Sequence, residues 1–384
     1  MRYIIVYMLL IGLFACNKPV EQKVPVVDGQ VINANGGKLF FYQQNTDIKL
    51  LDTITVSDQG SFRIYKESVT APGFYFLQFE NGQRINLFLR PADFIQLQVD
   101  ANDVINSCKS KNSKTMNALW EIDRNTKELK THLDRISGDF AGIVGKDSAV
   151  VLYQSLVAQK DSLLKKYKSK ALKLLKGIDD EVVKWYTLNQ KVANIILFSL
   201  EEDLKLFLGN SEKLMKDDRL SELFYDYDQD LMKAYSFIRR TERYSKGEQM
   251  IELKARTNWD EMLPLDKLNA KLILLVLWNG DVEACEVRLK EIESNRKKYG
   301  HRGLKVLMVA YENNKESWKE NISRLSSSYW NIVDTTGIES TDLVELGVRS
   351  LPFNFLVSPE GTIVERELWG AELETGVENF LKNY

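Results

Sequence analysis

Lys271-Leu-Ile-Leu-Leu-Val-Leu-Trp278 is a run of apolar residues unbroken after its first lysine. It lacks the polar alternation of a half-buried strand, so it reads as a strand covered on both faces, as in parallel sheets. A charged helical stretch follows, Val282 to Tyr299, and then a second such run, Leu304-Lys-Val-Leu-Met-Val-Ala310. Parallel strands need a crossover between them, and the charged stretch supplies it. Further on come a helix at Lys315–Ser326, a strand at Pro352–Ser358, and a turn at Pro359-Glu360-Gly361. Another strand, Thr362–Leu368, and a terminal helix, Leu373–Lys382, complete the chain. The order β-α-β-α-β-β-α predicts crossovers followed by a hairpin.

The chain upstream has other periods. Residues 27–105 alternate apolar and polar between turn formers such as Asn33-Ala34-Asn35-Gly36, Asp58-Gln59-Gly60 and Glu80-Asn81-Gly82. Strands are expected at Asp28–Ile32, Gly37–Gln43, Ile48–Val56, Gly60–Lys66, Gly73–Phe79, Arg84–Leu89 and Phe94–Val99, making a compact antiparallel sandwich. From about Ser110 to Met250 apolar residues recur three and four apart, the helical period. Val182–Phe198 is predicted as the most buried helix there. Trp120, Trp185 and Phe224 fall on apolar stripes and are expected in the core. The lysines of Lys160–Lys176 are expected on a solvated face, as are Glu201-Glu202-Asp203 and Asp226-Tyr-Asp228-Gln-Asp230. The last group lacks the glycine of a calcium loop.

Residues 1–16 begin Met1-Arg2-Tyr3, continue through the apolar run Ile4 to Phe14 and end in Ala15-Cys16. One basic residue, a short apolar core and a small residue before the cut make a secretory signal. Leu13-Phe14-Ala15-Cys16 resembles the bacterial lipobox, apart from the bulk of Phe14, and implies cleavage before a lipidated Cys16. Several acyl chains, at about 0.8 kcal/mol per buried CH₂, would anchor the chain stably. The expected partner at this end is therefore a membrane, reached through the N-terminal lipid. The expected location is the cell envelope, facing the periplasm.

Charge removes other classes. With 52 basic against 54 acidic residues, no nucleic-acid partner is indicated. His132 and His301 are the only histidines, so no histidine-based metal site is expected. Glycine-rich phosphate loops, dinucleotide fingerprints and Gly-x-Ser-x-Gly elbows are absent, and no cofactor is expected. Cys108 and Cys285 remain besides Cys16. An exported chain can hold disulfides, but these two lie in different predicted domains, which favours free thiols; pairing would need Cα atoms within about 7 Å.

The β-α-β-α-β-β-α order, with Trp278 ending its first strand, resembles the thioredoxin-like domain of TlpA/ResA-type lipoproteins and the AhpC/TSA group. In that family the strand-to-helix junction reads Phe-Trp-Ala-x-Trp-Cys-x-x-Cys. Here it is Leu277-Trp278-Asn279-Gly280-Asp281-Val282-Glu283-Ala284-Cys285. The resemblance sets Val282 in the place of the first cysteine and Cys285 in that of the second. A second family landmark matches Leu346-Gly347-Val348-Arg349-Ser350-Leu351-Pro352-Phe353-Asn354-Phe355-Leu356-Val357, implying a cis-proline at Pro352. The N-terminal sheet resembles the small β-domain of unknown function found before such domains. The implied fold class is α+β multidomain. Its parts are a signal (1–16), a tether (17–26), a β-sandwich (27–110), a helical region (111–256) and an α/β thioredoxin fold (257–384).

Thiol–disulfide exchange needs a thiolate at a helix N-terminus, where the dipole lowers its pKa. Valine cannot attack, and Asp281 and Glu283 would oppose a thiolate at Cys285. The buried carboxylate that many family members carry two residues before the tryptophan is replaced by Val276, and Arg288 is the nearest cation. These residues favour a binding or scaffold lipoprotein over an enzyme. Its surface would comprise Trp278, Val282, Cys285, Leu351 and Pro352, and would take an extended peptide or an envelope protein. The alternatives are a thiol-disulfide oxidoreductase acting through Cys285 alone, and an accessory protein whose β-domain and helices carry the function.

Overall fold

A computed structural model describes residues 23–34, 36–44, 47–142, 149–323, 325 and 328–383. The signal, Cys16 and most of the expected tether lie outside these residues. The chain forms two compact units that part between Gln229 and Asp230.

In the first unit the alternating segment gives all seven expected strands: β1 (Pro25–Ile32), β2 (Lys38–Gln44), β3 (Ile48–Thr55), β4 (Ser61–Tyr65), β5 (Gly73–Phe79), β6 (Arg84–Leu89) and β7 (Ile95–Asp100). A short helix, α1 (Val104–Ser107), leads to a brief β8 (Lys109–Ser110). The strands make two four-stranded sheets, β4-β1-β7-β8 and β3-β2-β5-β6. Val27 and Ile64 of one share a core with Phe41, Leu77 and Leu87 of the other. The sandwich is not wholly antiparallel as expected. β1 and β7 run parallel, Val27 beside Ile95, and the connection between them crosses to the other sheet and back, as parallel neighbours require. β1 also starts at Pro25, inside the expected tether.

Helices follow as α2 (Lys114–Ala141), α3 (Ala149–Gly177) and α4 (Glu181–Leu188). Caps fix two of their starts: Ser113 Oγ accepts from Met116 N–H at 3.2 Å, and Asp180 accepts from Val182 N–H at 3.0 Å. The long helix expected over Val182–Phe198 stops at Leu188. Its remainder turns through Ala193 and Asn194, both at positive φ, into a hairpin of β9 (Lys191–Val192) and β10 (Ile195–Ile196). An apolar run this short cannot tell helix from strand by period. Next come α5 (Leu200–Lys216) and α6 (Ser221–Arg243), and the boundary between the units falls within α6. Met116, Leu119, Trp120, Val182, Leu214 and Phe224 join the sandwich core, so helices of the expected separate region share the core of the sheets. Lys165, Lys166, Lys170, Lys173 and Lys176 are exposed as expected. Lys168 instead reaches Glu202 at 2.8 Å and Asp203 at 2.7 Å, so the acidic trio is not simply solvated.

The second unit is built on β11 (Leu272–Trp278), which is buried from end to end. After it come α7 (Glu283–Tyr299), β12 (Leu304–Tyr311), α8 (Lys315–Ile322), β13 (Trp330–Asp334), α9 (Thr341–Glu345), β14 (Phe353–Val357), β15 (Ile363–Arg366) and α10 (Ala371–Lys382). The sheet order is β13-β12-β11-β14-β15. β11 to β13 are parallel, while β14 and β15 are antiparallel to their neighbours. β13 and α9 are additions to the predicted order. Trp330 is exposed on β13, and only its last three residues are buried, so this strand carries little of the apolar signal.

Both faces of the sheet are covered, which is why its strands do not alternate. Leu272, Leu274, Val276 and Trp278 pack with Ile292 of α7, Trp318 of α8 and Leu373 of α10. Ile273, Leu275 and Leu277 face the other way, toward Tyr244, Ala255, Leu268 and Leu343. Residues 247–256, expected to be helical, form an extended strap on this second face. At one end Gly247 N–H donates to Ile363 O and Ile363 N–H to Glu248 O, both at 2.8 Å. At the other, Arg256 and Val333 exchange two bonds of 2.8 Å.

One ion cluster fixes the outer side of α7. The Glu293 carboxylate accepts two bonds from Arg296, at 2.8 and 2.7 Å, and one from the Tyr329 hydroxyl at 2.7 Å. Arg296 first, and Tyr329 with it, hold the carboxyl down to about 2 from an ordinary 4.5, against a smaller opposing effect of burial. A depressed acid stabilises the folded state above its unfolded pKa and loses that contribution as pH falls through its folded one. The wild type should therefore lose stability between about pH 4.5 and 2. Glu293→Gln should flatten that part of the acid limb, read as urea midpoints by near-ultraviolet circular dichroism.

Candidate functional site

Leu277 pairs with Phe353, so the register brings Trp278, at the end of β11, to the same end of the strand pair as Leu351 and Pro352, before β14. The Leu351–Pro352 peptide is cis. Trp278 and Cys285 are buried in one cluster, against which Val282 and Leu351 pack; Pro352 is half-buried. The structure thus gathers Trp278, Val282, Cys285 and Leu351, with Pro352 adjacent in sequence.

The link from β11 to α7 is held from below. Asn279 is buried; its Nδ2 donates to Tyr311 O at 2.6 Å, and its Oδ1 accepts from Asp281 N–H at 2.8 Å. Gly280 N–H donates to Glu312 Oε1 at 2.8 Å, and Asn321 Nδ2 reaches the same oxygen at 3.1 Å. Glu312 is only 1% exposed, a carboxylate under the start of α7. Val276 carries no carboxylate, and the one that is present arrives instead from the end of the next strand, where the chain's order alone does not announce it. The available signal was an acidic residue directly after the buried run that ends at Tyr311.

Val282 is the N-cap of α7 and supplies no side-chain cap bond. Cys285 lies in the first turn, 3% exposed, and its N–H donates to Val282 O at 2.9 Å. Burial raises its thiol pKa; a backbone bond from Asn279 opposes this, and the Glu312 charge adds to it. Arg288 offers no help. It is turned away from the thiol, pairing with Glu291 at 2.9 Å and lying over the Trp369 ring at 4.7 Å. Cys108 is also buried, and burial pushes its thiol far up; neither it nor Cys285 is in a disulfide.

A groove of about 460 Å³ opens elsewhere in this unit, lined by Met250, Ile251, Leu253, Leu263, Leu307 and Ile332. Leu307 and Ile332 belong to the sheet face opposite that of Cys285, so groove and thiol are separate features. Among the described residues no group of three or more His, Cys, Asp and Glu side chains is placed to hold a metal ion. No described helix is long and apolar enough to cross a membrane.

Three parallel strands, an antiparallel pair, a helix starting just past Trp278 and a cis-proline opening the fourth strand together decide the architecture. Residues 272–382 have a thioredoxin-like fold. No family model and no curated protein matches the chain. Among solved structures, the thioredoxin domain of a thiol-disulfide oxidoreductase from Bacteroides vulgatus is 22% identical, with TM-score 0.32, over 36% of this chain and 98% of its own. A thiol:disulfide interchange protein from Bacteroides sp. is 22% identical, with TM-score 0.31, over 36% and 91%. A thiol-disulfide oxidoreductase from Bacteroides fragilis is 24% identical, with TM-score 0.27, over 28% and 80%.

The contacts under the helix start make Gly280 the sensitive position. A Cβ there would lie 1.9 Å from Asn321 Nδ2, so Gly280→Ala must push the amide off Glu312. Leaving that buried carboxylate short of a donor costs about 1–3 kcal/mol. The variant should fold with a lowered urea midpoint, and adding Asn321→Ala, which removes the same donor, should lower it little further than either single variant.

Proposed function

We propose that the thioredoxin-like domain is a non-catalytic binding module, carried by an envelope lipoprotein anchored through Cys16. The observation that carries the reading is the start of α7: Val282 occupies the cap, and the thiol of Cys285 is buried one turn in with its pKa raised. Disulfide exchange begins with an exposed thiolate attacking sulfur, and a protonated, covered thiol supplies none. Val282 and Leu351, both half-buried, and Pro352 form the face offered to a partner. An extended peptide or a segment of an envelope protein suits it, since backbone groups beside the cis peptide can pair with another backbone.

Two measurements test this. The wild type should neither reduce insulin nor react with a thiol reagent at Cys285 until it is unfolded. Val282→Cys should bring labelling at neutral pH and a disulfide to Cys285. Rapid native labelling of Cys285, with a mixed disulfide lost in Cys285→Ser, would instead support a single-thiol oxidoreductase.

The anchor has its own test. Residues 1–16 carry the export and lipidation pattern, and lipid at Cys16 would hold the protein on a membrane facing the periplasm. Cys16→Ser should abolish incorporation of labelled palmitate and move the protein to the soluble fraction. Retention on membranes without label would overturn the lipid assignment.

A further inference from the structure

The first unit contains an open cavity of about 310 Å³ where β5 and β6 meet α4. That volume sits at the small end of the range for ligand sites and suits one ring-sized molecule. Phe74, Trp185 and Tyr186 line it, each half-buried, with the Phe74 ring 5.2 Å from that of Trp185 and 6.0 Å from that of Tyr186. Trp185 was expected as ordinary core. It instead bridges the core at Phe224, 5.1 Å away, and this cavity.

The polar lining is mostly amide. Gln44 and Asn189 are exposed at the rim, while Asn86 and Gln190 are half-buried. An amide carries two donors and an acceptor, although both Asn86 N–H groups are already used within the protein. Three of them, Asn86, Asn189 and Gln190, are held in place: Asn189 Nδ2 donates to Trp185 O at 2.9 Å, and Gln190 Nε2 to Tyr186 O at 3.0 Å. Asn86 Nδ2 donates to Asp123 and to the Tyr186 hydroxyl, both at 3.1 Å, while that hydroxyl donates to Asp123 at 2.6 Å. Asn86 Oδ1 is buried with no partner among the described residues. Tyr75 and Arg84 complete the lining, the Arg84 guanidinium over the Phe76 ring at 5.4 Å.

This chemistry discriminates among ligand classes. An apolar ligand would cover the free amide groups of Gln190 and of the rim without pairing them. An anion would want more than the one cation, Arg84. A cation would want an accessible carboxylate, whereas Asp123 is engaged by Tyr186 and Asn86. What remains is a neutral ring with an apolar C–H face for the aromatic group and hydroxyls that both donate and accept. We propose that the cavity is a carbohydrate subsite, binding one pyranose ring as a free sugar or as the end of a glycan. It lies in the other unit from the α7 site and does not rest on the function proposed for that site.

The test uses the purified full chain. Glucose, galactose and N-acetylglucosamine, with the β-1,4-linked disaccharides that end in each, are titrated by calorimetry and saturation-transfer NMR. At least one should saturate at millimolar concentration or below. Gln44→Ala with Asn189→Ala, both at exposed positions, should weaken it about tenfold, or about 1.4 kcal/mol, while Val282→Cys leaves it unchanged. A disaccharide that binds more tightly than its monosaccharide points to a glycan end; equal affinity points to free sugar. Hydrogen exchange on the unmodified chain gives a check independent of variant folding, with protection expected in 74–86 and 184–190. The proposal is overturned if no sugar saturates, if the double variant binds like wild type, or if protection falls elsewhere.

Discussion

The pairing of β11 with β12 governs the second unit. Leu272 through Trp278 run beside Leu304 through Ala310 in unbroken parallel register. Every residue of β11 is buried, so the pair must be roofed on both sides. One roof is α7, α8 and α10; the other includes α9 and the strap at 247–256. Neither roof is dispensable, because each covers alternate residues of the same strands. The end of β11 is thereby fixed in space, and the start of α7 with it.

A rigid strand end does not make a reactive site. Below the start of α7, Glu312 is bonded to Gly280 N–H and Asn321 Nδ2, a charge placed to hold backbone. It also disfavours a thiolate at Cys285, working with burial in the same direction. The polar groups here are arranged to position the loop. Under the proposed reading, the fold keeps the geometry of the helix start and spends it on recognition.

Much of this was legible in the sequence where burial was two-sided or strictly alternating. The runs ending at Trp278 and Ala310, and the seven short strands of the sandwich, announce themselves because their periods match their surroundings. Val182–Phe198 misled because apolar residues continue while the backbone turns at Ala193 and Asn194. β13 escaped because an edge strand with Trp330 exposed needs few apolar residues. At the site, Trp278, Val282, Cys285, Leu351 and Pro352 could be named through the resemblance to the thioredoxin-like motifs, not from composition or period. Glu312 could not, since its place under Gly280 follows from the pairing of two strands distant in sequence. The amide and aromatic cavity of the first unit was equally hidden, its lining coming from β2, β5, β6, α4 and the two residues after α4.

The strap has one more effect. An open sheet ends in backbone groups that invite another chain, and both rims of this sheet carry part of their hydrogen bonding within the molecule, β15 at Ile363 and β13 at Val333. Neighbouring copies therefore find fewer unpaired amides on which to zip together. Under the proposed lipid anchoring, copies would meet in two dimensions at high local density, and the strap would then be a safeguard against lateral polymerisation. A single ten-residue segment thus serves as selvage for the whole sheet.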